Sequence, residues 1–211
     1  MISCKKELRF YIMADRLMNG LPFKRTIRER LYFFQPSHIE IINLLRYMRM
    51  TCYYKGLKNP SFFDRFRGMW SSYMYEKISI RLGFSIGYNV FGYGLVIPHY
   101  GTIVINAGVR AGNYCVIHTS TCIGGNSKTI GNGLYLSAGA KIMGKVALGN
   151  GVSIAANSLV NKSSGSNVLL VGSPAIVKKQ DYPFWWERDG IMYAQRVAEI
   201  ENLKKQMKLN I

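Results

Sequence analysis

The chain has 211 residues, 48% hydrophobic and 18% charged, a balance that excludes a disordered polymer and allows one elongated domain with a helical attachment. Its formal charge of +17 is unevenly spread: residues 1–81 hold sixteen Lys and Arg against six acids, while 82–160 hold only Arg110, Lys128, Lys141 and Lys145 and no Asp or Glu. No RRM, helix-turn-helix or zinc-finger pattern accompanies the basic residues, so the expected partners are anionic small ligands, an anionic glycan or the negative face of a membrane, and no nucleic acid.

Residues 1 to about 82 read as helices. Nothing there approaches the ~18 apolar residues of a membrane span. Lys5 and Lys6 have no apolar stretch behind them, so no signal peptide is expected and the location is expected to be cytoplasmic. Leu8, Ile12 and Met13 mark one helical face, Ile27, Leu31 and Phe34 a second, and Ile41, Leu44, Leu45, Met48 and Cys52 a third. Pro22, the Gln35-Pro36-Ser37 run and Gly56 to Pro60 separate them. Ser37 with Glu40 is a capping-box pattern, beside which His38 is a surface or capping residue. The basic and aromatic residues from Arg46 to Trp70 suit two roles: packing onto the rest of the chain, or peripheral contact with the inner face of a membrane.

From Ile105 to Val160 an aliphatic residue returns every sixth position: Ile105, Ala111, Ile117, Ile123, Ile130, Leu136, Ile142, Leu148, Ile154 and Val160, with one extra residue before Ile130. Four positions after a repeat start stands a small or branched residue, as at Cys115, Thr121, Ala140, Val146, Val152 and Ser158. This period is neither helical nor alternating, and it identifies a parallel β-helix whose units bury their apolar faces by stacking. Asn113, Asn126, Asn132 and Asn150 stand where corners call for left-handed backbone. Three hexapeptides make a triangular coil, so residues about eighteen apart stack at roughly 5 Å. Traced backwards, the repeat passes through Ile97 and Ile86, with an excursion at His99-Tyr100-Gly101-Thr102. His99 and His118 then share a corner of adjacent coils, with Ser137 one coil further on.

After Val160 a polar loop leads to one last strand, Val168 to Val171, and to Gly172-Ser173-Pro174-Ala175. Trp185, Trp186 and the helically spaced Val197, Ile200, Leu203 and Met207 predict a short helix docked on the body or on a neighbour. The boundaries are a helical region 1–82, a β-helix 83–178 and a tail 179–211. Cys4, Cys52, Cys115 and Cys122 form no CxxC pair and read as reduced structural thiols, with a catalytic alternative only at Cys122.

The segments Gly94-Leu95-Val96-Ile97-Pro98-His99, Ile117-His118-Thr119-Ser120-Thr121-Cys122-Ile123-Gly124-Gly125, Ser137-Ala138-Gly139-Ala140 and Gly172-Ser173-Pro174-Ala175 together resemble the serine acetyltransferase branch of the hexapeptide-repeat acyltransferases, over about residues 83–178. The resemblance implies a left-handed β-helix, a homotrimer, and acetyl-CoA in a groove between protomers. It puts the general base on His99, where a pKa near neutral suits removal of a hydroxyl proton. The alternative for His99 is a corner histidine satisfied by a backbone carbonyl. His118 orients the acceptor, acts as an auxiliary acid, or merely bridges the coil stack. On the donor side, Gly124 and Gly125 let the pantetheine approach the backbone, and Ala138 and Ala156 match the small residues along its path. Lys162, Lys178 and Lys179 are candidates for the adenosine phosphates, or form a solvated basic tail.

Two departures bear on the acceptor. Serine acetyltransferases carry an Asp about fifteen residues before the base, where this chain has Phe84-Ser85, and an Arg-His-Pro segment after the Gly-Gly, where this chain runs Asn126-Ser127-Lys128. L-Serine needs an anion and a cation to meet its charges, yet the groups near His99 are neutral: Tyr100, Thr102, Asn106, Thr119, Ser120 and Asn126. The expectation is therefore acetyl transfer to a sugar hydroxyl of a surface polysaccharide, such as capsule, exopolysaccharide or O-antigen. The alternatives are a serine O-acetyltransferase that draws its acid from elsewhere, for example Glu76, and a non-catalytic scaffold. No metal is expected, since His38, His99 and His118 cannot form a three-histidine zinc site from adjacent strands.

Overall fold

The computed structural model describes residues 2–24, 37–125 and 127–211, and only the backbone of Ser37 and His38. The face at Ile27, Leu31 and Phe34, the break at Gln35-Pro36, the Ser37 cap, the role of His38 and the placement of Asn126 lie outside the described residues.

Among the described residues three helices come first: α1 (Lys5–Met18), α2 (Ser37–Lys55) and α3 (Phe62–Leu82). The repeat then winds through short parallel strands on three walls. Wall I holds β1 (Phe84–Ile86), β2 (Ile103–Ile105), β5 (Thr121–Ile123), β8 (Lys141–Ile142) and β11 (Leu159–Val160). Wall II holds β3 (Arg110–Ala111), β6 (Thr129–Ile130) and β9 (Ala147–Leu148). Wall III holds β4 (Val116–Ile117), β7 (Tyr135–Leu136), β10 (Ser153–Ile154) and β12 (Leu169–Gly172), closed by the antiparallel β13 (Ala175–Lys179). The tail forms α4 (Trp185–Arg188) and α5 (Ile191–Gln206). The architecture is the expected β-helix with helices at its start and end.

Both inward slots of the hexapeptide are filled. The repeat starts from Ile105 to Val160 are buried, Ala111 apart, and so are Cys115, Thr121, Ala140, Val146, Val152 and Ser158. The expected stack of Ile97 on Ile117 follows from the bridge of Val96 to Val116. The corner asparagines depart from expectation: the left-handed backbone falls on Tyr114 (φ 58°), Gly133 (φ 72°) and Gly151 (φ 64°), each one residue later. Asn113, Asn132 and Asn150 instead turn their Oδ1 atoms along the stack, accepting from the backbone N–H of Tyr93 (3.1 Å), Asn113 (2.8 Å) and Asn132 (2.8 Å). A Cβ on Gly112 or Gly131 would overlap the side-chain oxygen of the asparagine one coil below, which accounts for glycine after the repeat start.

The helices plug the open first coil. Ile41, Leu44, Leu45 and Met48 of α2 and Tyr75, Ile78 and Leu82 of α3 join one continuous core with Phe84, Ile86, Phe91 and Leu95. At the seam, buried Arg49 forms a two-point ion pair with buried Asp15 (2.7 and 3.1 Å) and donates to Phe91 O and Gly92 O (both 2.6 Å). Asp15 in turn accepts from Leu95 N–H at 3.0 Å. Burial opposes the Arg49 charge, but Asp15 outweighs it and holds the guanidinium pKa above its ordinary value. Helix α3 has no face of its own in the sequence pattern because its buried side includes Ser71 and Ser79, whereas Phe62, Phe66, Met69, Tyr73 and Ile80 point outward. It starts at a Ser61–Asp64 capping box and stops at left-handed Gly83.

A second cluster covers the outside of wall III, where Phe10 and Met18 of α1, Trp185 of α4 and Ile200 of α5 pack on Tyr93, Val96, Tyr114 and Val116. Among the described residues no helix is long and apolar enough to cross a membrane.

Candidate active site

The corner between walls III and I stacks residues 98–102, 118–120, 137–140 and 155–158 in one column. Six residues, 97–102, join Val96 to Ile103 in the upper coil, where four, 117–120, join Val116 to Thr121 below. The extra length pushes His99 and Tyr100 outward, and both are exposed. His99 makes no hydrogen bond among the described residues, so no backbone carbonyl satisfies it there.

The turn that carries His99 is tied on both sides. Asn19, just past α1, donates from Nδ2 to Leu95 O (2.8 Å) and accepts from Ile97 N–H (3.4 Å), mimicking a neighbouring strand. On the other side Gly101 N–H donates to Leu82 O (3.0 Å) and Ile103 N–H to Gly83 O (3.2 Å), so α3 ends on the same turn.

One coil down, half-buried His118 lies 3.0 Å through Nε2 from the Tyr135 hydroxyl. Burial, then the proximity of His99, push the His118 pKa below the usual imidazole value, while Asp189 pulls the other way. Asp189 arrives from the tail. Trp185 is buried on wall III, its Nε1–H donating to Tyr114 O at 2.8 Å, and this seats the residues that follow. The Arg188 guanidinium then lies 5.0 Å from the rings of both Tyr135 and Tyr182, donates to Ser153 Oγ (3.3 Å) and pairs with Asp189 (2.6 Å). Asn19, Tyr135, Arg188 and Asp189 are absent from the sequence-derived set. The double tryptophan before Arg188-Asp189 was the one local sign that this segment docks.

The predicted site residues fall into two groups. His99, Tyr100, Thr102, His118, Thr119, Ser120, Ala138 and Ala156 share the III/I column, with Ser120 left-handed at φ 61°. Asn106, Gly124, Gly125 and Lys162 do not join them: they lie across three-residue wall I, roughly 10 Å away at strand rise. Asn106 is occupied as a turn former, its Oδ1 accepting from Gly108 N–H at 2.8 Å. Gly124 has a packing reason, since a Cβ there would meet Met143 Sδ at 2.9 Å. Buried Lys128 donates to Gly124 O and pins that loop from beneath. Glu76 is not at His99, and lines a pocket beside Ser85.

The lower levels of the column carry no side chain larger than asparagine. Ala138 and Ala156 are exposed, present only methyl groups, and stack in register: Gly139 N–H donates to Thr119 O (3.1 Å) and Asn157 N–H to Ala138 O (3.0 Å). Below them Gly172 N–H donates to Ser158 Oγ at 3.0 Å, so the Gly172 to Ala175 turn is the last level of the column, from which antiparallel β13 runs back across wall III and sets exposed Lys179 opposite Leu169 at the far edge. From the His99 level to this turn is four coil steps, roughly 19 Å at ~4.8 Å each. Among the described residues no three His, Cys, Asp or Glu side chains are grouped to hold a metal ion.

The sequence matches no protein-family model. It is similar to the serine acetyltransferase of Buchnera aphidicola from Acyrthosiphon pisum, 36% identical over 119 residues, which are 52% of this chain and 43% of the relative. The chain thus spans less than half the length of that relative. Among solved structures it resembles Neisseria gonorrhoeae serine acetyltransferase in complex with serine, with a TM-score of 0.57 and 22% identity over 83% of this chain and 70% of that one. Brucella abortus serine acetyltransferase in complex with coenzyme A gives a TM-score of 0.55 and 24% identity over 82% and 66%. At these identities the structural likeness is one of fold.

These similarities overturn the expected surface-glycan acceptor, because the relatives are serine acetyltransferases and one fold neighbour holds serine. Residues 82–160 contain no acid, and the tail folds back on wall III to lay the Arg188–Asp189 ion pair near Tyr135 and His118.

Proposed function

We propose that this chain is an acetyl-CoA-dependent serine O-acetyltransferase. The observation that carries the proposal is exposed His99 on an outsized corner turn, at the head of the Ala138–Ala156 column, in a chain similar over 52% of its length to a serine acetyltransferase. Bound acetyl-CoA supplies the activated acetyl thioester. His99 accepts the proton of the serine hydroxyl and holds it on its ring nitrogen, a role worth roughly 10²–10⁴ in rate. His118, kept neutral by its surroundings and braced by Tyr135, presents a hydrogen-bonding ring beside the base. Arg188 pairs with Asp189 at 2.6 Å and donates to Ser153 Oγ, which holds the tail on wall III beside His118. Ala138 and Ala156 support the pantetheine along the column.

The same reading includes a homotrimer, tested by sedimentation equilibrium. It also includes peripheral membrane contact through the outward apolar face of α3 and its neighbours Arg65, Lys77 and Arg81, tested by cosedimentation with anionic vesicles. The reaction itself is tested by incubating the protein with acetyl-CoA and L-serine and detecting O-acetylserine by mass spectrometry. Product above the no-enzyme control is expected. CoA release no faster than hydrolysis, with no O-acetylserine, would overturn the proposal.

A further inference from the structure

Tyr135 stands on the outer face of wall III, one coil below Val116, and packs with the cluster around Trp185. Its hydroxyl lies 3.0 Å from His118 Nε2, and the two rings are 5.1 Å apart. The Arg188 guanidinium, held by Asp189 and Ser153, sits 5.0 Å over the other side of the arrangement on the Tyr135 ring and keeps that ring in place.

The proton between Tyr135 and His118 can sit on either atom, and the surroundings decide which. Burial first, then Asp189, raise the Tyr135 pKa, so the phenol keeps its proton. No described group other than His118 bonds that hydroxyl. If Nε2–H donated instead, the hydroxyl proton would have no described acceptor, and a half-buried donor left unmade is costly. The hydroxyl therefore donates, and Nε2 accepts.

A neutral imidazole carries one N–H, and acceptance at Nε2 places it on Nδ1. The ring nitrogens point in roughly opposite directions, so this N–H faces away from the Tyr135 hydroxyl. Nδ1 has no hydrogen-bond partner among the described residues and retains contact with solvent. A free histidine side chain favours the opposite tautomer, with the proton on Nε2, so the bond to Tyr135 has a detectable effect.

We propose that Tyr135 is a positioning residue of the acetyl-transfer site: its hydroxyl fixes His118 as the Nδ1–H tautomer and leaves that N–H as a hydrogen-bond donor one coil below His99. The inference rests on the column being the site of acetyl transfer. It gives the two imidazoles opposite roles. As the serine oxygen bonds to the thioester carbon, its proton passes to His99 and the carbonyl electron pair moves onto oxygen, to which His118 Nδ1–H donates. Collapse returns that pair, breaks the C–S bond and releases the thiol with the proton from His99. A donor fixed in advance favours the charged oxygen over the neutral carbonyl.

The test reads the tautomer by nitrogen-15 NMR of the full chain without substrate, at a pH where His118 is neutral. The chain has three histidines, and His118→Asn identifies the His118 signals. A bare Nε2 and a protonated Nδ1 are expected. In Tyr135→Phe, which keeps the ring and removes only the hydroxyl, the proton is expected to move largely to Nε2. The same variant should lose roughly 10–10²-fold in kcat with acetyl-CoA and L-serine, with both KM values within about twofold. A proton on Nε2 in the natural chain would overturn the proposal, and so would an Nδ1–H that survives Tyr135→Phe or a kcat unchanged by it. Because the tautomer is read without substrate, an inactive natural chain with the expected tautomer would overturn the acetyl-transfer proposal and not the Tyr135–His118 assignment.

Discussion

Between Phe84 and Val160 the chain carries no acid and buries its inward side chains coil after coil, whereas every Asp and Glu lies in the segments before and after. The two regions do different work. The β-helix supplies a rigid column whose levels are fixed by stacking, and stacking alone brings no anion to the His99 corner. The attachments supply what the repeat lacks: Asn19 and Leu82 tie the His99 turn, and Arg188 and Asp189 bring charge to His118. A repeat can specify a scaffold in a few dozen residues. The candidate site also depends on non-repeating segments that fold back onto it.

The largest expected break in this division of labour is at the seam. Arg49→Ala leaves Asp15 as a buried unpaired carboxylate, and denaturant unfolding should show a loss of ~3–5 kcal/mol. A loss below ~1 kcal/mol, the range of exposed ion pairs, would mean that the helices are not clamped to the first coil by this pair. Within the scaffold, Leu136→Ala empties a fully buried slot and should cost ~2–5 kcal/mol in the same measurement. Asn132→Ala removes one rung of the side-chain ladder at the II/III corner, and a loss near 1 kcal/mol is expected. An unchanged midpoint would make that ladder decorative.

The smallest effect sharpens the comparison at the point where tail and scaffold meet. The His118 pKa is depressed in the folded chain, so its neutral form contributes stability that is present above the unfolded value of ~6.5 and is lost as pH falls through the folded value. The stability advantage of the natural chain over His118→Asn should shrink as pH is lowered from 7.5 to 5. An advantage that stays flat or grows would contradict the burial of His118 against Tyr135.

The β-helix was legible because its period is a packing rule: each aliphatic at the repeat start, and each small residue four positions on, occupies an inward slot. The His99 excursion was legible for the same reason, as extra residues between strands that must stay in register. Helix α3 was not, because two buried serines and an apolar outer face erase its amphipathic signature. The corner asparagines were misplaced by one residue because their side-chain bonds between coils leave the next residue to make the turn. The docking of the tail was not legible for a topological reason. Asp189 and His118 are 71 positions apart in sequence, and no periodicity links a tail to the wall on which it lands.

The most direct test of acetyl transfer at the scaffold corner is turnover of acetyl-CoA and L-serine by the full chain, compared with His99→Ala. The predicted result is a fall of roughly 10²–10⁴-fold in kcat, with the fold and coenzyme A binding retained. A loss of less than tenfold would contradict it and make His99 a structural residue.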